Sequence, residues 1–438
     1  MQAFSLSVPP TGVRAVLARG VASSFVFRVA ATGATLLMNL FLARLLPLHD
    51  FGVMAQGVSW LLLIGNLSCF GTGAVATRFV AADDPAQAKG AVTWGSRLSL
   101  GGGGVLALVA LAIAAFAGGY LSPAERWCAA CIGLAIPAFA FTQTRSGALR
   151  GAKLVAKGIV LDSLLRPLAI LVVGSLFFLL PSYGRLRWTQ ALLALTQAAI
   201  AMTAWQWSRS LMYDGPEAAP AGGWTKLAAP IAAMDMFAVL NGNADTLIVG
   251  HWLGSSDAGV YRTTFQLAGV VAFAILVTNA IVPTLVAELF AKRQLTDLRR
   301  VLKMSVGATS LVATAVTLLI AVAGDHVLGI FGPEFRRGRE IFTIFALAQL
   351  VNTWCGPTAN VMTMTGHQRP AMVTFGACSA LSMLLMVLLV PRFGLVGAAT
   401  ASSTGLALWN VVLVIYLRRQ LAIDPSILSW LPGVRLPR

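Results

Sequence analysis

The sequence predicts an all-α, polytopic membrane protein: about twelve transmembrane helices in two parallel six-helix lobes around a central cavity. Composition is the first reason. Of 438 residues, 57% are hydrophobic and 11% charged, with a mean hydropathy of +0.79, whereas soluble domains carry roughly 25% charged residues to keep a wet surface. Segment length is the second. The apolar stretches run to about 20 residues, which suits helices crossing hydrocarbon, and lipid cannot satisfy free backbone N–H and C=O groups. Barrel strands would be about half as long and alternating. An internal repeat is the third. Leu46-Pro47-Leu48-His49-Asp50-Phe51-Gly52-Val53 aligns with Leu253-Gly254-Ser255-Ser256-Asp257-Ala258-Gly259-Val260 at an offset of 207, matching at Leu, Asp, Gly and Val. A fainter match sets Gly151 against Gly366. Each half holds an even number of spans, so both halves cross in the same direction, with a substrate site expected between them.

Element by element, residues 1–20 form a cytoplasmic N-terminal segment. The apolar stretch 21–46 follows Arg14 and Arg19 and is too long for the core of a cleavable signal, so it stays as the first span. The N-lobe, 21–208, continues with spans near 52–80, 92–119, 127–147, 158–181 and 188–208. Residues 209–223, with Asp214-Gly215-Pro216-Glu217 and Pro220, read as a cytoplasmic linker. The C-lobe, 224–417, has spans near 226–252, 258–290, 304–331, 339–365, 371–390 and 395–417, and 418–438 form a cytoplasmic tail.

The net charge of +16 does not argue for nucleic acid, because the basic residues are scattered in short runs between apolar segments. Twenty of the 32 Lys and Arg fall on the side of the N-terminus against nine on the other. That bias makes both termini cytoplasmic. The five cysteines all fall in apolar segments, and Cys128-x-x-Cys131 lacks two further ligands nearby, so packing thiols are expected and no metal. Gly101 to Gly104 lie inside an apolar span with no Gly-Lys-Ser/Thr following, so they serve close helix packing and not a nucleotide.

Several short motifs resemble the polysaccharide-exporter, or O-antigen flippase, branch of the multidrug/oligosaccharidyl-lipid/polysaccharide (MOP) superfamily. They are Asp245 with Leu253-Gly254, Gly259-Val260-Tyr261 and Pro283; Ile330-Phe331-Gly332-Pro333-Glu334-Phe335; Gly366-His367-Gln368-Arg369-Pro370; and Val390-Pro391-Arg392-Phe393-Gly394-Leu395-Val396-Gly397-Ala398-Ala399. Phe51-Gly52, Gly71 and Arg78 fit the family's opening. The resemblance implies an inner-membrane flippase that carries undecaprenyl-pyrophosphate-linked oligosaccharide from the cytoplasmic to the periplasmic leaflet for O-antigen, capsule or exopolysaccharide assembly. It implies no cofactor. Expected partners are the lipid-linked oligosaccharide, membrane lipids, a coupling proton or sodium ion, and glycan polymerase or chain-length machinery.

Such a cargo has an apolar tail that can stay in lipid, an anionic pyrophosphate and a polar glycan. A carrier therefore needs a hydrated cavity with fixed positive charge. Charges within spans are costly and default to functional candidates. Arg28 in the first span and Asp235 in the seventh are related by the repeat offset of 207. Either Arg28 binds pyrophosphate while Asp235 releases it or carries a coupling proton, or the two form a structural pair pinning the lobes. Asp162 and Arg166 are four apart, a spacing that favours a neutralising pair. Arg97 is placed to snorkel toward the cytoplasmic headgroups. Asn241 and Asp245 are four apart and share a helix face, and with Asn243 they form the most polar stretch of any span, either lining the cavity or bonding helix to helix. The basic segment Arg145 to Lys157 is expected to meet anionic lipid on the cytoplasmic side; it could also recruit the pyrophosphate headgroup, though topology alone accounts for it.

Two rivals stand beside the flippase reading. An ion-coupled multidrug or cation antiporter of the same superfamily would use Asp235 and Asp245. A membrane-bound polymerase, ligase or glycosyltransferase would need a long polar external loop or an Asp-x-Asp pair, and the sequence has neither.

Overall fold

A computed structural model describes residues 10–82, 84–116, 119–176, 182–209 and 223–430. Among them the helices group into twelve passes, six in each half. The N-lobe opens with α1 (Pro10–Leu45), which starts upstream of the expected span. Its second pass is broken into α2 (Leu48–Cys69) and α3 (Thr72–Ala81). Then come α4 (Pro85–Phe116) and α5 (Pro123–Gly151), the latter started by a reciprocal cap between Ser122 and Glu125 with Pro123 in the first turn. The fifth pass is α6 (Val155–Ile159), a π-helical turn (Val160–Leu164) and α7 (Leu165–Gly174), and α8 (Ser182–Arg209) is the sixth. Of the expected linker 209–223, Arg209 ends α8 and Gly223 starts α9, and residues 210–222 lie outside the described residues.

The C-lobe begins with α9 (Gly223–Leu253). Its second pass is α10 (Ser255–Ala268), a 3-10 turn (Gly269–Ala272) and α11 (Phe273–Ala291). Next are α12 (Leu295–Phe331), then α13 (Arg339–Cys355) and α14 (Thr358–Met364) as one broken pass, and α15 (Gln368–Gln420). Helix α15 is two passes folded back at Gly394, whose φ of 57° and ψ of −136° lie in territory nearly reserved for glycine. The fold-back is visible where Ser382 Oγ donates to the Ala401 carbonyl at 3.1 Å. Seven helical stretches among the described residues are long and apolar enough to cross a membrane, and large apolar side chains such as Leu108, Val172, Leu311 and Val322 are exposed on the outside of the bundle. Water cannot bathe such a surface. The protein is a multi-pass helical membrane protein.

Within each lobe, small and hydroxyl residues bring helices close. Thr72 Oγ1 lies 2.7 Å from Thr144 Oγ1 and 3.1 Å from Ser99 Oγ, joining α3, α4 and α5 through a buried three-hydroxyl cluster. Cys128 and Cys131 are free and buried, with Cys128 packed against Gly57 of α2. The chain after α15 folds back onto the C-lobe. Arg299 Nε donates to the Ala422 carbonyl at 3.0 Å, Asp424 pairs with Arg418 at 3.2 Å, and Trp430 Nε1 donates to the Lys303 carbonyl at 2.9 Å. The Pro425 carbonyl lies against Gly356, in the break between α13 and α14.

The lobes meet most closely at the end carrying residues 46–52 and 253–259, called the outer end below. There a Cβ on Gly52 would stand 1.7 Å from the Ser255 carbonyl oxygen, so only glycine permits this approach. Its repeat mate Gly259 packs on Gly52 in turn. Gln56 Nε2 donates to Ser255 Oγ at 2.9 Å, the Phe51 ring meets Phe335 edge-on at 5.6 Å, and Arg44 Nε donates to the Ile330 carbonyl at 2.7 Å. At the opposite, inner end the buried Trp224 of α9 packs on Phe79 of α3 and Trp94 of α4, with ring centroids 5.6 and 5.8 Å apart.

Candidate functional site

Of the cavities where the lobes face each other, two are lined by arginines, and a third of about 520 Å³, with Glu125 and His251, lies between α2, α4, α5 and α9. The central arginine-lined one, about 230 Å³, is enclosed by α1, α2, the π-helical turn, α7 and α10, below the outer seam. Asn39 Nδ2 donates to Gln266 Oε1 at 2.6 Å across the lobes, so both amides are held at the cavity. Arg166 from the N-lobe and Arg262 from the C-lobe line the same space. Arg166 Nη2 donates to Gln197 Oε1 at 2.9 Å, and its guanidinium lies 5.5 Å from the Phe139 ring centre. Arg262 Nη1 donates to the Gly242 carbonyl at 2.7 Å. Neither arginine has an ion pair within 4 Å among the described residues.

The inner cavity, about 430 Å³, lies toward the inner end and is lined by Asn66, Arg78, Gln143, Arg150 and Asp235. Between the central and inner cavities stands one ion pair. Arg150 donates to Asp162 and, at 2.9 Å, to Ser146 Oγ. Arg150 faces the inner cavity and Asp162 the central one. Together the two spaces hold four arginines and two aspartates, a formal excess of two positive charges. Low-dielectric walls strengthen such a field relative to water.

A further cavity, about 260 Å³, lies within the C-lobe among α9, α10, α13 and both arms of α15. It is walled by the rings of Phe265, Phe345, Phe375 and Trp409 and by neutral polar groups, including Asn241. The buried Asp245 sits beside it, accepting hydrogen bonds from Tyr261 Oη at 3.0 Å and from Ser402 Oγ.

The residues singled out by sequence are thus distributed unevenly. Asp235 lines the inner cavity and Arg166 the central one. Asn241 donates to Ser379 in the C-lobe cavity, with Asp245 one turn further along the same face of α9. Asn243 points away from that face, is buried, and donates to the Val239 carbonyl at 2.9 Å. Arg28 is exposed, lines none of these cavities, and has no ion pair to Asp235 among the described residues. Arg97 is exposed on α4 and lines none of them.

The structure revises three placements. The aspartate four residues before Arg166 is bound to Arg150 instead, because the π-helical turn at Val160–Leu164 widens the helix and destroys the i,i+4 alignment. Arg262, near the start of the expected span 258–290 and counted among the nine charges on the outer side, sits two turns inside α10 and faces the central cavity. Arg78, at the end of the expected span 52–80, and Arg150, in the basic segment Arg145 to Lys157, lie near the ends of α3 and α5 and turn into the inner cavity. The available signal was the repeat: Arg262 corresponds to Ala55, which lines the same central space from the other lobe.

Residues 17–289 match the family described as polysaccharide biosynthesis proteins, and residues 230–388 match the MatE family. Over 178 residues the chain is 28% identical to a probable low-salt glycan biosynthesis flippase, Agl15, of Haloferax volcanii, a stretch covering 40% of this chain and 37% of that protein. The match thus spans well under half of that relative's length. Among solved structures, an inward-facing multidrug-resistance MATE family transporter of the MOP superfamily superposes with a TM-score of 0.74 at 12% identity, covering 90% of this chain and 94% of the other. The lipid II flippase MurJ in an inward closed conformation gives 0.68 at 11% identity, covering 90% and 87%. These likenesses agree with the motifs quoted from the sequence. The chain belongs to the polysaccharide biosynthesis protein family and has the two-lobed helical fold of the MOP superfamily.

Proposed function

We propose that this protein is a flippase that moves a pyrophosphate-linked, lipid-anchored oligosaccharide from the cytoplasmic to the outer leaflet of the inner membrane, with both termini cytoplasmic. The carrier lipid would be undecaprenyl, and the glycan would feed O-antigen, capsule or exopolysaccharide assembly. The observation that carries this reading is the pair Arg166 and Arg262, one from each lobe, turned into one central cavity without a carboxylate bound to either. The excess of two positive charges over the central and inner cavities matches a doubly ionised pyrophosphate diester. Arginine donates in a planar fork suited to phosphate oxygens. Arg78 and Arg150 in the inner cavity would meet the headgroup first, and Asp235 beside them would carry a coupling proton or help release the anion. The closed outer seam and the inner cavity below it correspond to a carrier awaiting cargo from the cytoplasm. Family membership and the glycan-flippase description of the Haloferax volcanii relative support the same direction.

The test is a deletion strain analysed for surface glycan and for lipid-linked intermediates, complemented with wild type, Arg166→Gln, Arg262→Gln and Arg28→Ala. The flippase reading expects lost surface polymer, lipid-linked oligosaccharide accumulating on the cytoplasmic side, and failed rescue by both glutamine variants at normal membrane levels. A charge-assisted hydrogen bond contributes about 1.5–3 kcal/mol, so each glutamine should weaken pyrophosphate binding by roughly 10–150-fold. Rescue by Arg28→Ala would remove Arg28 from the binding role. Normal glycan in a deletion strain that has no second flippase would turn the reading to the antiporter.

A further inference from the structure

We infer that the C-lobe cavity is a sugar seat: it holds one pyranose ring of the glycan while the pyrophosphate is held at Arg166 and Arg262. Such a seat presupposes the glycan cargo proposed above, and the two are tested by different readouts.

A pyranose ring presents a face of C–H groups and a rim of hydroxyls. A site for it needs an aromatic surface and neutral groups that both donate and accept. Trp409 and Phe375 meet edge-to-face at 5.1 Å on one wall, and Phe265 and Phe345 do so at 5.3 Å on another. These contacts fix the ring planes and leave aromatic surface toward the cavity. The polar lining is unsatisfied in a particular way. Gln349 accepts from Asn352 through Oε1, which leaves its amide N–H groups to donate. Asn241 donates to Ser379, which leaves its Oδ1 to accept. Ser403 Oγ is buried with no partner among the described residues. A buried polar atom without a partner, as at Ser403, is uncommon, and ligand hydroxyls are well suited to meet it together with the free amide groups of Gln349 and Asn241.

Charge excludes the main competitor. The lining carries no charged side chain, and Asp245 behind it is turned to Tyr261 and Ser402. A cationic aromatic drug would find no counter-ion and would leave the amides unpaired. Size agrees too. About 260 Å³ lies just below the range of pockets for drug-sized ligands, roughly 300–1,000 Å³, and so suits a single ring. Position links the seat to the phosphate site. Gly242 lines the C-lobe cavity, and its carbonyl accepts from Arg262 of the central cavity. A sugar joined to a pyrophosphate at Arg262 therefore has the seat one helix away. Asp235, Ala238 and Asn241 lie along one stripe of α9 that leads from the inner cavity to the seat.

The experiment uses the full chain in nanodiscs. Methyl glycosides of glucose, galactose and N-acetylglucosamine are titrated by saturation-transfer NMR, inorganic pyrophosphate by calorimetry, and rhodamine 6G by fluorescence anisotropy. At least one glycoside should bind. Trp409→Leu and Gln349→Leu should each weaken it on the order of tenfold, with Trp409→Phe falling between. Pyrophosphate affinity should be unchanged in these variants, which also shows that they are folded. Arg262→Gln should do the reverse. The seat is refuted if no glycoside binds, if glycoside affinity is unchanged by both Trp409→Leu and Gln349→Leu, or if rhodamine 6G competes with glycoside for the cavity. Absent pyrophosphate binding, or normal surface glycan after deletion, would count against the flippase reading, while the glycoside titration still decides the seat.

Discussion

Replacing Gly52 with alanine should force the outer seam apart. The new Cβ would stand 1.7 Å from the Ser255 carbonyl oxygen, and carbon and carbonyl oxygen settle at roughly 3.3–3.6 Å. Helices α2 and α10 must therefore separate locally by roughly 1.6–1.9 Å, since the obstacle is backbone and has no rotamer to change. That displacement would break the Gln56–Ser255 hydrogen bond and loosen the Phe51–Phe335 contact. Overpacking of this kind costs about 1–3 kcal/mol. The cost falls on the seam-closed state alone, so the balance between closed and open should shift by a factor of roughly 5–150. The assay is electron–electron resonance between spin labels at His49 and Glu334, both exposed, with the five buried native cysteines left in place. Wild type should give mainly a short outer distance, and Gly52→Ala a dominant longer one. A distance distribution identical to wild type in the variant would refute the idea that this backbone contact holds the outer end shut.

Two further outcomes follow from buried geometry. Asp162→Leu leaves Arg150 without its carboxylate, and because the partners are 35% and 19% exposed the loss should be about 1–3 kcal/mol rather than that of a fully buried pair. The double variant Arg150→Leu with Asp162→Leu should unfold at a higher temperature than the single one; simply additive losses would show the pair to be uncoupled. Gly394→Ala should cost about 1–3 kcal/mol, because alanine must adopt φ near 57° at the fold-back of α15. An unchanged thermal midpoint would mean that the turn relaxes elsewhere.

The twelve passes were legible because hydropathy reports depth in the membrane, and depth is what separates Val21 to Leu46 from the polar turn that follows. The seam was legible too, since the repeat singles out Gly52 and Gly259, the residues that pack on each other. What hydropathy does not report is azimuth. Arg78, Arg150 and Arg262 have the sequence surroundings of flanking charges, yet each turns inward because of how its helix is rotated against the opposite lobe. Asp162 shows a second limit: a five-residue π-turn shifted its partner from Arg166 to Arg150, and such turns leave no pattern in local composition. Asn241 and Asp245, four apart, share one face of α9 as their spacing predicts, while the same helical period places Asn243 on another face.

The segment that returns to the C-lobe after α15 has a consequence for synthesis. The gap between α13 and α14 is filled by the Pro425 carbonyl against Gly356, 69 residues later in the chain. At about 5–20 residues per second, that filler is made roughly 3–14 seconds after the gap itself. During this interval the tenth pass is already made, but the carbonyl that packs on Gly356 at its break is not. The C-lobe can therefore complete its packing only late in translation, and a nascent chain halted before Pro425 should present this break to proteases and chaperones that the finished protein excludes.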